Sequence, residues 1–246
     1  QPMNTYIGVD GCPEGWIAVV YSDADFEGAS FYEDISGLWN DHSDAERILV
    51  DIPIGLRENS SDPRECDAAA REVLKPDRYR SVFPTPVRQA ARQDSYEDAK
   101  ENQEERTDGS LNRQTWGITP KIDEVDRFLL ENEAARGTIR EAHPEVCFWA
   151  FAGEEMAYSK TNDGARAFWE RVAVLRTLEE DVYDHLWEVG TGDLGGSPST
   201  DDVVDAFAVA LTARGDGDGL ETLPDDPEED EAGLPMEMVY RPKQRA

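Results

Sequence analysis

The sequence predicts one α/β domain built around a mixed sheet, and three observations point to it. Two apolar segments, TYIGVD and WIAVVY, are separated by the turn residues GCPEG, which predicts an antiparallel hairpin. Residues 46–56, ERILVDIPIGL, contain a continuous apolar run that is typical of a central strand covered on both faces. Amphipathic helical segments follow in the second half of the chain. We therefore expect early antiparallel strands, later parallel strands and flanking helices.

The first half of the chain supplies the hairpin, a third strand and two helix starts. The hairpin spans residues 5–21, and residues 29–34 form the predicted third strand. Ser36 is placed to cap a short helix, because its hydroxyl accepts a hydrogen bond from a first-turn amide. Asp62 and the proline after it predict a second helix start. We expect residues 57–136 to form a helical insertion in the single domain.

Helices predominate in the second half of the predicted domain. Thr119 precedes a proline, a residue that favours the first position of a helix. Apolar residues recur on one side of a long helical segment, whereas a later acidic stretch is too polar to pack. In chain order the predicted elements are a helix from Thr119, a short strand with a loop at 137–146, a helix at 164–188, a helix at 201–214, a mobile acidic loop at 215–233 and an edge strand at 234–240.

The composition limits the class of protein. The chain has 54 acidic and 24 basic residues, only five of them lysine, and the acids are spread from end to end. A dispersed acidic surface of this kind is typical of a halophilic protein, in which charge keeps the molecule in solution. The sequence contains no apolar run long enough to cross a membrane and no signal-peptide pattern. We therefore expect a cytoplasmic protein with no membrane partner.

Several carboxylates stand where the predicted strands and the last helix come together. Asp10 ends the first strand, and Asp51 stands where the apolar run gives way to a proline. Sites assemble at strand ends in α/β sheets, and a charge in an apolar strand is costly unless it is paired or bound to metal. Asp202 and Asp205 are spaced to share one face of the last helix, and small residues after them would let that face approach the sheet closely. Glu145 follows another predicted strand.

Each of these acids also has an alternative role that needs no metal. Asp10 can cap a turn, and Asp51 can accept backbone hydrogen bonds at a strand end. Asp202 and Asp205 can stabilise the helix through its dipole, by about 0.3–1 kcal/mol. Glu145 can form a salt bridge in a loop. The hypothesis of a metal site therefore rests on the combination of these acids and not on any single one.

Eight stretches follow one another between residues 8 and 213 and together suggest a family. They are GVDGCPEGW, VDIPIGL, RECDAAAREVL, RSVFPTPVR, QTWGITPKIDEVD, EAHPEV, YSK and DDVVDAFAVALTA, and MEMVY near the end also fits. In this order they resemble a domain-of-unknown-function family of predicted nucleases with a ribonuclease H-like fold. The acidic composition is similar to that of a haloarchaeal member.

The resemblance implies a fold in which carboxylates of the first strand, the fourth strand and a C-terminal helix bind two divalent ions. Asp10 would be the first-strand ligand and Asp51 the fourth-strand acid, while Asp205 and Asp202 would supply the helix ligands. Glu145 lies in a family motif and joins the candidate catalytic residues. Mg²⁺ or Mn²⁺ suits such oxygen ligands. Two ions about 3.5–4 Å apart would activate water and stabilise the leaving oxygen of a phosphodiester.

Residues 78–92, RYRSVFPTPVRQAAR, contain four arginines and no acid, and we call them the acid-free segment. Arginine binds phosphate through paired hydrogen bonds, which survive salt better than long-range attraction does. Arg78, Arg80, Arg88 and Arg92 are therefore candidate phosphate contacts. The alternative is that they form surface ion pairs, each worth roughly 0–1 kcal/mol.

Two further residues extend this candidate surface for nucleic acid. Lys121 begins a helix close in sequence to Trp116. Trp116 would either stack on a base, worth about 1–3 kcal/mol, or pack in the core. The net charge of −30 opposes binding to nucleic acid in dilute buffer. In molar salt the Debye length falls to about 3 Å, so local charge becomes the better guide.

The leading hypothesis is a metal-dependent nuclease, with DNA and RNA both open as substrates. The alternative from another class is a non-catalytic nucleic-acid-binding or regulatory protein on the same fold. A phosphotransferase or ATPase is disfavoured, because the chain has no P-loop and no second copy of the first hairpin. Binding of divalent ions separates the first two hypotheses, since a catalytic carboxylate cluster has to bind them.

Overall fold

A five-stranded sheet forms the centre of the computed structural model, which describes residues 3–215 and 219–243. Its strands are β1 (Thr5–Cys12), β2 (Gly15–Ser22), β3 (Phe26–Tyr32), β4 (Arg47–Val50) and β5 (Ile139–Glu141). Across the sheet they lie in the order β3-β2-β1-β4-β5. The pairs β1–β2 and β2–β3 are antiparallel, and the pairs β1–β4 and β4–β5 are parallel. The predicted mixed sheet is therefore confirmed.

Helices flank this sheet and fill the chain between β4 and β5. They are α1 (Ile35–His42), α2 (Glu65–Val73), α3 (Arg88–Ala91), α4 (Tyr96–Arg106), α5 (Arg113–Trp116), α6 (Thr119–Glu131), α7 (Pro144–Ala152), α8 (Lys160–Leu175), α9 (Val182–Thr191) and α10 (Thr200–Ala213). A second, antiparallel sheet consists of β6 (Glu221–Leu223) and β7 (Met238–Tyr240), and 3₁₀ turns occupy Tyr79–Ser81 and Glu133–Ala135. In the described part of the chain, none of the helices has the length and apolar content needed to cross a membrane.

The sheet separates two apolar cores, because successive side chains of a strand point to opposite faces. On one face Ile7 and Val9 pack with residues of α1 and α6, such as Ile122. On the other face Leu49 packs with residues of α7, α8, α9 and α10, such as Phe207. Full burial of each such side chain contributes about 1.5–3 kcal/mol of hydrophobic stabilisation. The central strands are therefore covered on both faces, as their continuous apolar runs predict.

Helix α10 lies very close to β1 because Gly8 has no side chain. A Cβ atom at Gly8 would be 2.0 Å from the amide nitrogen of Ala210 and 2.5 Å from the carbonyl oxygen of Ala206. The prediction that small residues let this face of the last helix approach the sheet is confirmed. The contact fixes the position of α10 along β1, and with it the acidic residue that α10 presents to the sheet.

The predicted helix at 164–188 is in fact two helices, α8 and α9, separated by a turn. Leu175 before the turn and Val182 after it are buried in the same core. The apolar pattern therefore continues across the break, and periodicity alone did not reveal it. Arg214 Nη1 donates to Glu179 Oε2 at 2.7 Å and ties the turn to the end of α10.

Two predicted helix starts were also wrong. Asp34, not Ser36, caps α1, and its carboxylate accepts a first-turn amide N–H at 2.7 Å. Helix α2 begins at Glu65, three residues after Asp62. The residue before it, Arg64, is buried in ion pairs with acids, and these fix the chain at the point where the helix begins.

The acidic stretch 215–233 was expected to be a mobile loop that does not pack. Its described part contains β6, and the Asp230 side chain is buried. The Asp230 carboxylate accepts the Leu56 amide N–H at 2.9 Å and forms an ion pair with Arg88. An acid can be buried here because a cation neutralises it. Residues 216–218 lie outside the described residues.

Candidate functional site

A cavity of about 450 Å³ lies at the carboxyl-terminal edge of the sheet, where β1, β4 and β5 end. Four of the acids predicted as site residues line it, namely Asp10, Asp51, Glu145 and Asp205. Other walls come from the insertion between β4 and β5 and from the start of α8. The volume is within the range of small-molecule and substrate pockets. The fold therefore brings together four acids that are far apart in sequence.

Asp10 and Asp51 lie side by side because each follows the last paired residue in the parallel register of β1 and β4. In the register of β1 and β4, Val9 pairs with Val50, so the next residue of each chain segment is an aspartate. The Asp51 amide donates to the carbonyl oxygen of Val9 at 2.9 Å. Val9 and Val50 face the α1 and α6 core, so the residues after them face α10. The two carboxyl groups are close enough for the charge of Asp51 to raise the pKa of Asp10.

Asp205 reaches the same place from α10. It lies five residues, or about one and a half turns, before Ala210, where the helix touches Gly8. Its side chain is buried, with 8% of the residue exposed. Burial raises the pKa of the Asp205 carboxyl to about 6, although the charge of Lys160 lowers it. A carboxylate this buried requires a cation or a proton close by.

Lys160, the first residue of α8, supplies that cation. Its Nζ donates to Asp205 Oδ1 at 2.6 Å and also to Oδ2. The same Nζ is 3.6 Å from Glu145 Oε1. Burial alone would lower the pKa of Lys160, but the charges of Asp205 and Glu145 raise it. The ammonium group is therefore kept charged between the two acids.

Glu145 lies in the first turn of α7, which begins at Pro144 where a loop was predicted. His143 caps this helix, because its Nδ1 accepts the Glu145 amide N–H at 3.2 Å. Arg171 Nη2 donates to Glu145 Oε1 at 2.6 Å. Burial would raise the pKa of Glu145, but the charges of Lys160 and Arg171 lower it. The second carboxylate oxygen, Oε2, is buried without a hydrogen-bond partner among the described residues.

Asp10 and Asp51 carry more negative charge than their surroundings offset. Burial raises the pKa of Asp10 well above its usual range, and the charges of Asp51 and Asp205 raise it further. Burial also raises the pKa of Asp51, although nearby positive charge lowers it. Neither acid forms an ion pair in the part of the chain that the structure describes. These two carboxylates are therefore the ones that a bound cation would stabilise most.

Asp202, the other predicted helix ligand, caps α10. Its Oδ2 accepts the Ser199 amide N–H at 2.7 Å, and the Ser199 hydroxyl oxygen accepts the Asp202 amide N–H at 3.2 Å. This reciprocal capping box is the helix-stabilising role that the sequence left open as the alternative. Asp202 is not among the residues that line the cavity.

Within residues 3–215 and 219–243, no group of three or more Asp, Glu, His or Cys side chains is arranged to hold a metal ion. The ion pairs explain this result. Lys160 contacts both carboxylate oxygens of Asp205, and Arg171 contacts one oxygen of Glu145. As these side chains stand, the acids expected to share two ions are partly neutralised by the chain itself.

Two acids of the cavity form no ion pair within the described residues, and a third has an oxygen without a partner. Asp10 and Asp51 offer adjacent carboxylates without a cation, and Glu145 offers a buried oxygen without a partner. Carboxylate oxygens are the ligands that Mg²⁺ and Mn²⁺ prefer. A bound cation would satisfy both features, although the described residues contain no group of three acids arranged to hold a metal ion.

Two arginines of the acid-free segment point into the protein and away from any phosphate. Arg88 is 3% exposed, and its guanidinium donates to Glu58 at 2.7 Å, to Asp126 Oδ2 at 3.0 Å and to Asp230. Arg92 Nη2 donates to Asp126 at 2.9 Å. Both arginines thus form ion pairs, but the pairs of Arg88 with Asp126 and Asp230 are buried and not the surface pairs that the alternative expected.

The remaining predicted substrate contacts lie closer to solvent. Arg80 is exposed and lies over the ring of Tyr79. Arg78 is half-buried, and its Nε has no hydrogen-bond partner among the described residues. Lys121 lines the cavity and donates from Nζ to the carbonyl oxygen of Gly15 at 2.6 Å. These three residues keep their predicted role as candidate phosphate contacts.

Trp116 is neither placed in the cavity to stack on a base nor fully buried in the core. It is half-buried and packs edge-on against Tyr96, with ring centroids 6.3 Å apart. It does not line the cavity. Trp116 therefore stabilises the insertion, while the next two residues, Gly117 and Ile118, line the cavity.

The acid-free segment does border the cavity, but through uncharged residues. Ser81, Val82, Phe83 and Thr85 line it. The Thr85 hydroxyl donates to the carboxylate of Asp67 at 3.0 Å. An acid in this wall would add negative charge to a cavity that already holds several carboxylates. The absence of acid from the segment is thus explained by the cavity as well as by the arginines.

A buried ion network that the sequence analysis missed forms another wall of the cavity. Arg64 donates through Nη1 and Nη2 to the two oxygens of Glu141, each at 2.8 Å. It also donates through Nη2 to Asp67 at 2.6 Å. The network joins α2 of the insertion to the end of β5. Arg64 and Asp67 stand three apart, and that spacing was the available signal.

Lys160 and Arg171 were also missed. Lys160 lies in the stretch YSK, and it is one of five lysines in the chain. Two of those five, Lys121 and Lys160, line the cavity. The scarcity of lysine in so acidic a chain was therefore a usable signal. Arg171 lies inside an amphipathic helix, where nothing in the pattern marks it.

Comparison with known proteins identifies the family. A model of the family described as "Protein of unknown function (DUF429)" matches residues 8–229. The chain belongs to this family. The four predicted site acids that line the cavity all lie within the part matched by DUF429. No curated protein and no solved structure is significantly similar to the chain.

Proposed function

We propose that this DUF429 protein is a metal-dependent nuclease with a ribonuclease H-like fold, which hydrolyses phosphodiester bonds of nucleic acid at the carboxylate cavity. The observation that carries the proposal is the pair Asp10 and Asp51, which end neighbouring parallel strands without a cation of their own. Asp205 of the last helix lies beside them. The mixed sheet, with antiparallel strands followed by parallel ones, supports the fold assignment.

Asp10 and Asp51 would hold the divalent ion, Mg²⁺ or Mn²⁺, together with water, because no third acid of the described residues is arranged with them to hold a metal ion. Such an ion supplies a Lewis acid for a phosphoryl oxygen and activates water for attack. The protein's own part is to hold these carboxylates rigidly. Asp10 and Asp51 are held by backbone pairing between strands, and Glu145 is held by Arg171. Rigid placement of this kind removes the cost of reorganisation during the reaction.

Lys121 is placed to hold the substrate next to Asp10. A Cβ atom at Gly11 would be 3.0 Å from Lys121 Cδ, so the lysine side chain runs along the end of β1. Its ammonium group would contact a phosphate oxygen as a point charge. Arg78 and Arg80 would contact phosphates farther along the strand. Because the chain carries a net charge of −30, we propose that it works in concentrated salt, as a halophilic protein does.

Cleavage of nucleic acid in molar KCl tests the proposal. Single- and double-stranded DNA and RNA are incubated with the protein and Mn²⁺ or Mg²⁺. We expect the wild type to cleave at least one of these substrates. Asp10→Asn should lower the rate by at least about 100-fold, because it removes a ligand of the ion. Asp201→Asn is the matched control: it changes an exposed aspartate of α10, so its rate should equal that of the wild type.

Two results would count against the proposal. Failure of the wild type to cleave any substrate, together with no Mn²⁺ binding by calorimetry, would rule it out. Equal cleavage by Asp10→Asn and the wild type would place the activity elsewhere. Binding of nucleic acid without cleavage would support the alternative, a non-catalytic nucleic-acid-binding protein.

A further inference from the structure

We propose that the ammonium group of Lys160 takes the place of one cation in the carboxylate cavity, so that the site binds one divalent ion, at Asp10 and Asp51, instead of two. This inference rests on the proposed nuclease function and deepens it, because it states how many ions that site takes. It also assigns to Lys160 a role as a fixed positive charge that positions Asp205.

The position of Lys160 is the first argument. Its Nζ contacts both carboxylate oxygens of Asp205 and lies 3.6 Å from Glu145 Oε1. These are oxygens that a second ion would need. A divalent ion bound there would share them with an ammonium group at close range, and the two positive charges would repel each other. The lysine and a second ion therefore exclude one another.

The chain holds Lys160 in this position from within α8. Glu170 accepts the amide N–H groups of Ala157 and Tyr158 at 2.9 and 3.0 Å. Arg171 Nη1 donates to the carbonyl oxygen of Tyr158 at 3.2 Å. The residues just before Lys160 are thus tied to the helix that follows it. The ammonium group is presented to the acids by an ordered backbone.

The balance of charge is the second argument. Glu145 and Asp205 contribute two negative charges, and Lys160 and Arg171 contribute two positive charges. This half of the cavity is neutral without any ion. The two strand-end aspartates contribute two further negative charges and form no ion pair within the described residues. One divalent cation balances them, and a second would leave the cavity with excess positive charge.

An unpartnered buried oxygen points to a ligand in the same cavity. Glu145 is 5% exposed and lines the cavity, and its Oε2 has no hydrogen-bond partner among the described residues. Buried carboxylate oxygens normally have a partner, because leaving one unpaired costs free energy. Oε1 of the same carboxylate already accepts from Arg171. A cation in the cavity would supply the missing partner of Oε2.

Titration calorimetry with Mn²⁺ in molar KCl tests the inference by stoichiometry, without reference to activity. We expect one ion per chain for the wild type and two for Lys160→Met, since the variant frees Asp205 and removes the ammonium group from beside Glu145. Lys160→Arg keeps the charge and should bind one. Lys121→Met is the matched control: it removes the other cavity lysine, whose ammonium group contacts a backbone carbonyl, and it should also bind one.

The outcomes separate this inference from the proposed function. Two ions bound by the wild type would overturn the inference and leave the nuclease proposal standing, whereas no bound ion would overturn both. One ion bound by Lys160→Met would overturn the role of Lys160. If circular dichroism shows that Lys160→Met does not fold, the number of ions bound by Asp205→Asn is measured instead. We expect that variant to keep its one ion, and loss of the ion would make Asp205 a ligand and refute the inference.

Discussion

Replacing Gly8 by alanine tests whether the contact between β1 and α10 positions the carboxylates. The added Cβ atom would lie 2.0 Å from the amide nitrogen of Ala210 and 2.4 Å from its Cα. Ordinary contact begins at 3.4 Å, so α10 would have to move away from the sheet by about 1.4 Å. Overpacking costs typically 1–3 kcal/mol, and backbone atoms cannot relieve it by changing rotamer. We expect Gly8→Ala to lower the free energy of unfolding by about 3 kcal/mol.

Urea denaturation in molar KCl, followed by circular dichroism, measures this loss. Gly190→Ala in α9 is the control, because nothing lies within 4 Å of the Cβ atom that it adds. Alanine is a better helix former than glycine, so the control should gain about 0.5–1 kcal/mol. The two identical substitutions should therefore have effects of opposite sign.

The same displacement should weaken the proposed ion site. Asp205 moves with α10, whereas Asp10 and Asp51 stay with the sheet, so the acids would separate. If Gly8→Ala unfolds at the same urea concentration as the wild type, the close approach of α10 to β1 is wrong. The account of how the site is assembled would then fail with it.

Three further predictions concern buried charge. Arg88→Met should lower the free energy of unfolding by about 3–5 kcal/mol in urea denaturation, because it leaves the buried Asp230 without a cation. Asp10→Asn should raise the melting temperature at neutral pH in the presence of a chelator. Burial and the charge of Asp51 raise the pKa of Asp10 in the folded state, so the wild type loses stability as the pH rises through that pKa. His42→Gln should lose less stability than the wild type between about pH 7 and pH 5 in thermal melts. Burial lowers the pKa of His42, so its contribution is present above the unfolded pKa of 6.5 and is lost as the pH falls through the folded value.

Controls for these predictions come from exposed groups. Arg127→Met breaks an exposed pair with Asp123 and should change the free energy of unfolding by less than about 1 kcal/mol. If Arg88→Met also lowers the free energy of unfolding by less than about 1 kcal/mol, the account of the buried ion pairs is contradicted. Asp201→Asn is the control for Asp10→Asn and should leave the melting temperature unchanged. If Asp10→Asn also leaves it unchanged, the proposed excess of negative charge at Asp10 and Asp51 is contradicted. Parallel pH profiles for His42→Gln and the wild type would refute the third prediction.

The sequence predicts those parts of the fold that depend on local pattern. The hairpin of β1 and β2, the central strand β4 and the last helix follow from apolar runs and turn residues, and the structure has all of them. Asp10 and Asp51 could be placed at strand ends for the same reason. Small residues on the last helix predicted its close approach to the sheet, and Gly8 completes that contact. The cavity acids were therefore within reach of sequence reasoning.

The cations that pair with these acids could not be predicted from the sequence, because pairing between distant residues leaves no local signal. Lys160 and Asp205 are 45 residues apart, and Arg88 and Asp230 are 142 apart. An arginine in an acid-free segment has the same appearance in sequence whether it faces solvent or the interior. Arg88 is turned inward by two acids of the insertion, Glu58 and Asp126, and by Asp230 of the segment 219–243. The number of ions proposed for the cavity falls from two to one because of the position of Lys160, which the sequence does not reveal.

Anomalous scattering from crystals soaked with Mn²⁺ tests the central claim most directly, because it locates the ion. We predict one peak, between the carboxylates of Asp10 and Asp51, and its loss in crystals of Asp10→Asn. Peaks confined to acids on the surface, with none at these two strand ends, would contradict the proposal that the cavity is a divalent-ion site.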